Sequence, residues 1–180
     1  MPDPVGLTRR WLRDVVVDLD LCPFARGPLQ AGRVRIATSD AAETAAALAD
    51  LGLELQRLQD ADPGEIETTL LVFRTAFPKF PDFLEATAVA RDLVAAVAGG
   101  VMQLADFHPD YVFAGVSRTD PSNWTNRSPF PMWHLLRESS VARAVAGHPD
   151  IHSIPGRNVT LLRQMDGEAL KRLLPSEDQD

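Results

Sequence analysis

One short run, Glu67-Thr-Thr-Leu-Leu-Val-Phe73, constrains the fold more than any other segment of the chain. It is apolar and β-branched, Asp62-Pro63-Gly64 marks a turn just before it, and it is the clearest strand in the sequence. The segments on either side are helical in texture. Ser39 or Asp40 is suited to cap an Ala/Leu helix reaching about Gln59. Pro81 opens another helix to Ala98, which Gly99-Gly100 stops. Val34 to Ala37 and Val101 to Phe107 are the other strand candidates. Residues 5–19 place Leu12, Val15, Val16 and Leu19 on one helical face, and Leu21-Cys22-Pro23-Phe24 ends that helix.

Helix and strand therefore alternate three times, which predicts an α/β layer of largely parallel strands joined by right-handed crossovers. A mixed α+β sheet follows instead if a fourth short strand forms near Tyr111–Ala114. Beyond Phe107 the chain turns polar and proline-rich. One helix is expected from Ser128-Pro129 to about Ala146, with Met132, Leu135 and Leu136 on its core face, and a last one from about Arg157 to Leu174. At 180 residues the chain suits one core. The expectation is a single domain over residues 1–174, a small three- to four-stranded sheet flanked by helices, and an acidic disordered tail over 175–180.

Charge and composition narrow the function classes. The net charge is −7, with the acidic excess concentrated in residues 40–106. No basic stripe appears, which argues against a nucleic-acid partner. No 18-residue apolar run predicts a membrane span. The apolar stretch near the amino end is broken by Asp14, Asp18 and Asp20, unlike a secretion signal. The single cysteine, Cys22, excludes an internal disulfide. A cytoplasmic protein is expected. Phosphate-loop, dinucleotide-binding and nucleophile-elbow motifs do not occur in the sequence, and the cofactor is left unknown.

The polar residues gather after the third strand, where α/β sheets place their ligands. In Phe107-His108-Pro109-Asp110-Tyr111, an extended chain puts His108 and Asp110 on one side, as general base and orienting carboxylate or as two metal ligands. Tyr111 completes this candidate catalytic group. A hydrogen-bonded strand end is the alternative. In Asn126-Arg127-Ser128-Pro129, Ser128 is placed as a helix cap and Arg127 as an anion clamp beside free N–H groups. His134 and Arg137 on the expected helix, with Arg157 and Asn158 in Pro155-Gly156-Arg157-Asn158, are further binding candidates. His108, Asp110, His134 and Glu138 are the alternative metal set. Cys22, between an apolar helix end and Pro23-Phe24, is expected to be buried and slow to react.

Five ordered strings, RWLRDVVVDLDLCPFA, ETTLLVF, FHPDYVFAG, NRSPFPMWHLLRE and IPGRN, resemble a bacterial family known only as domain of unknown function 1415. The resemblance runs from Trp11 to about Arg163. It implies that residues 21–25, 107–115 and 126–138 are hallmark segments, and it implies no reaction. The expected function is a small enzyme whose His/Asp/Arg pocket acts on a phosphate- or carboxylate-bearing metabolite. A non-catalytic adaptor with a structural polar network is one alternative, and a non-haem metal protein another.

Overall fold

A computed structural model describes residues 3–148 and 150–174; the tail expected at 175–180 lies outside the described residues. Four strands form one sheet: β1 (Val34–Ser39), β2 (Thr68–Phe73), β3 (Met102–Phe107) and β4 (Met132–Arg137), in the order β1-β2-β4-β3. β1 and β2 are parallel, whereas β4 runs antiparallel to both β2 and β3. The fold is a single α/β domain with a mixed sheet. The helices are α1 (Pro4–Trp11), α2 (Arg26–Gln30), α3 (Thr44–Asp60), α4 (Phe80–Ala98), α5 (Glu138–Ala146), α6 (Ile154–Arg163) and α7 (Gly167–Lys171).

Both faces of the sheet are covered. Leu71 and Phe73 of β2 and Trp133 and Leu135 of β4 pack against Leu51, Leu55 and Leu58 of α3 and Phe83 and Ala90 of α4. Leu70, Val72 and Met132 face the other layer, where Trp11, Leu12, Val15, Val16 and Leu162 meet them. Every residue of β2 is buried, which is why its sequence shows no polar alternation.

Four expectations need correction. The fourth strand is not at Tyr111–Ala114, which is irregular, but at Met132–Arg137, inside the expected helix. A strand buried on both faces shows no period of two, so adjacent Leu135 and Leu136 mimic a helical stripe. Only Glu138–Ala146 is helical, and Ser128 caps nothing: its hydroxyl donates to Phe130 O (2.7 Å). The first helix changes pitch, continuing from α1 as a π-helical turn over Leu12–Val17, with Asp18 N–H donating to Arg13 O (3.0 Å). This turn buries Leu12, Val15, Val16 and Val17 together. The last expected helix is split into α6 and α7, because the Asp166 carboxylate caps a new start by accepting from Ala169 N–H (2.7 Å).

Candidate functional site

The loops after β3 and before β4 do meet. His108 N–H donates to Asn126 O (3.2 Å), and the Arg127 guanidinium donates to Arg118 O (3.1 Å) and Tyr111 O (3.4 Å). Their polar groups, however, satisfy one another. His108 is 1% exposed, among Phe80 and Phe83. Its Nδ1 accepts from Asp110 N–H (3.0 Å), so Nε2 carries the proton and donates it to Phe77 O (2.9 Å). Burial pushes its pKa below the ordinary histidine value. Phe77 has φ of 62°, a strained conformation for a large side chain, and His108 holds the carbonyl of that residue. The geometry gives His108 a positioning task, with neither ring nitrogen left for a substrate.

The neighbouring candidates are similarly engaged. Asp110 pairs with Arg118 at the surface (3.1 Å). Arg127 lies over the Trp124 ring (4.9 Å), and burial lowers the pKa of its guanidinium. Tyr111 packs on Phe80, and burial beside the Asp106 carboxylate raises its pKa. Asp106 itself is buried against Arg91, and its pKa is raised because burial outweighs that cation. Asn126 donates to Asp106 O (3.2 Å).

Arg157 and Asn158 tie down a turn 137 residues away in sequence. Arg157 donates to the Asp20 carboxylate (2.6 Å) and to Asp20 O, and Asn158 donates to Leu21 O (2.8 Å). Asp20 has φ of 52°, and this clamp fixes the left-handed bend that presents Cys22 and Phe24. Arg137 is buried and donates to Leu58 O, Ala61 O and Ile66 O, holding the end of α3.

His134 is the exception. It stands on β4, on the opposite sheet face from His108, so the alternative metal set is divided by the sheet. Glu138 begins α5 and shares no helical face with it. Among the described residues, no three His, Cys, Asp or Glu side chains gather as a metal site. His134 instead lines a cavity of about 350 Å³ between the sheet, α2, α5 and the π-helical turn. The cavity lies at the amino ends of β1 to β3, where Val34, Thr68 and Gln103 border it. The site was expected at the opposite, carboxyl ends.

The wall is mostly apolar, with Leu12, Leu29, Leu70, Phe107 and Leu136 prominent. The Thr68 hydroxyl donates to Leu135 O (2.6 Å), so Thr68 Oγ1 accepts from His134 Nε2–H (2.6 Å). That leaves the lone pair of Nδ1 without a partner in the protein among the described residues. Burial holds the His134 pKa down at about 4, so the ring is neutral at pH 7. Cys22 also lines the cavity, half-buried, and burial raises its thiol pKa. Arg33 and Glu67 sit at one end, 3.1 Å apart.

A family model described as "Protein of unknown function (DUF1415)" matches residues 5–172. The chain belongs to the DUF1415 family. Neither the curated proteins nor the solved structures include a match. Arg33, Glu67, Thr68 and Gln103 of this DUF1415 chain were missed as candidates. Their one sequence signal is a charged residue immediately before each of two strands, at Arg33 and Glu67.

The neutral state of His134 has a pH consequence. A folded pKa of about 4 against about 6.5 in the unfolded chain means that acid favours unfolding. This contribution is fully present above pH 6.5, falls as pH drops from 6.5 to 4, and reaches about 3 kcal/mol. Urea unfolding at pH 4.5 and 7.5 should show wild type losing more stability than His134→Leu. Equal losses, or an NMR titration of His134 near 6.5, would refute the assignment.

Proposed function

We propose that this protein binds a small, largely apolar, uncharged molecule in the cavity beneath the sheet, through a donor group delivered to His134 Nδ1. The observation that carries this reading is the His134 ring, held in one tautomer by Thr68 and Leu135 O, with its free lone pair in an apolar wall. Such a histidine accepts hydrogen bonds and attracts no anion. The two cavity arginines are engaged, Arg33 with Glu67 and Arg137 with three carbonyls, which favours a neutral ligand over the anion expected from the sequence. The volume suits a molecule of fragment to small-metabolite size. No described helix is long and apolar enough to cross a membrane. The free thiol of Cys22 suits a reducing compartment such as the cytoplasm.

Two probes of matched shape test the reading: 4-ethylphenol, which donates a hydrogen bond, and 4-ethylanisole, which cannot. The phenol should raise thermal stability and slow labelling of Cys22 by a water-soluble disulfide more than the ether does. At 100 times its dissociation constant it should contribute about 2.7 kcal/mol. His134→Leu should bind both probes alike. Failure of either compound to shield Cys22 would count against the cavity as the site.

A further inference from the structure

The polar end of the cavity carries information about the ligand beyond its fit to His134. Arg33 directly precedes β1 and Glu67 directly precedes β2. Glu67 N–H donates to Arg33 O (2.9 Å), so the parallel pairing sets the two side chains next to each other on the cavity wall. A guanidinium nitrogen approaches Glu67 Oε2 to 3.1 Å, yet Oε2 and Arg33 Nε are both shielded from water and make no hydrogen bond. Buried polar atoms in folded proteins nearly always have a partner. Here a donor and an acceptor, side by side, lack one.

The charges on the pair already cancel, so a third full charge would be unpaired in a mostly apolar surrounding. A neutral group that offers an N–H and a carbonyl oxygen along one edge completes the pair at two points, where a hydroxyl would have to serve both from one atom. Both residues line the cavity, with Glu67 16% and Arg33 34% exposed, while Nε and Oε2 themselves are covered. Docking on the pair therefore requires the two side chains to turn these covered atoms toward the ligand.

We infer that the natural ligand carries an amide or lactam edge, which docks on Arg33 and Glu67 while its apolar body lies along the sheet. This rests on the cavity being the ligand site. Glu67 accepts the ligand's N–H and Arg33 donates to its carbonyl. The pair thereby discriminates against carboxylates of the same shape, since Glu67 repels them.

Calorimetry or NMR titration at pH 7 with 3-phenylpropanamide, 3-phenylpropanoate and propylbenzene tests this on the intact protein. In wild type the amide should bind about tenfold more tightly than propylbenzene, equivalent to about 1.4 kcal/mol, and the carboxylate most weakly. Glu67→Gln removes the negative charge and leaves Arg33 an uncompensated cation. The carboxylate should then overtake the amide. The wild-type ranking stands as a test even if that variant folds poorly. Equal binding of amide and propylbenzene would overturn the amide assignment and leave the cavity reading intact. Carboxylate preference in wild type would overturn the assignment as well. Binding by none of the three would refute the cavity reading together with it.

Discussion

Trp133→Ala should lower folding stability by about 3–5 kcal/mol, as large-to-small changes at fully packed aromatic positions do. Trp133 is 0% exposed, and its ring meets Phe73 edge-on at 4.8 Å and lies 5.6 Å from Phe77. Its indole N–H donates to Thr87 Oγ1 (2.9 Å), and the Thr87 hydroxyl in turn donates to Phe83 O (2.7 Å). Truncation opens a void between sheet and α4 and removes one bond of that chain. Trp133→Phe should cost less, because most of the volume is kept. Urea unfolding followed by circular dichroism measures both. A loss under about 1 kcal/mol for alanine would mean that the layer collapses around the gap.

Arg137→Leu should cost about 3 kcal/mol by the same measurement. One guanidinium nitrogen of Arg137 donates to Leu58 O (2.6 Å), Ala61 O (2.8 Å) and Ile66 O (3.1 Å). Hydrogen bonds from a charged group contribute about 1.5–3 kcal/mol each, and leucine leaves those carbonyls buried without a donor. Its apolar side chain recovers part of the loss. Arg137→Lys should rescue incompletely, since its ammonium stops one bond short of the guanidinium nitrogen that meets all three carbonyls. Full stability in the lysine variant would show that charge alone, without geometry, suffices. The sequence placed Arg137 among ligand-binding residues; its contacts make it a tie between β4 and the end of α3.

How legible each element was follows from its surroundings. β1, β2, β3, α3 and α4 were all recognisable, because proline, glycine and the switch between apolar runs and helical periodicity mark their ends. β4 was not, because a strand with Trp133 and Leu135 in one core and Met132 in the other carries no alternation. His134 entered the candidate list as part of a helix that begins only at Glu138, and the strand turns it to the opposite sheet face from His108. The loops after β3 and before β4 meet in the fold, as the His108–Asn126 bond shows. That their groups pair internally was one of two alternatives open in the sequence, and only side-chain geometry decides between them. Arg33 and Glu67 lie far apart in sequence, and only the β1–β2 register makes them neighbours.

The position of β4 also bears on how the chain is made. During synthesis β1, α3, β2, α4 and β3 emerge first, yet β2 and β3 have no hydrogen-bonded contact until the strand that separates them arrives. At about 5–20 residues per second, the interval between the end of β3 and the end of β4 is roughly 2–6 s. For that time neither β2 nor β3 has its β4 partner, and the backbone edges that β4 will pair are open to any other extended chain. The sheet is complete only when β4 stands between them, antiparallel to both. A nascent chain of this kind gains from whatever shields those edges until residue 137 has left the ribosome.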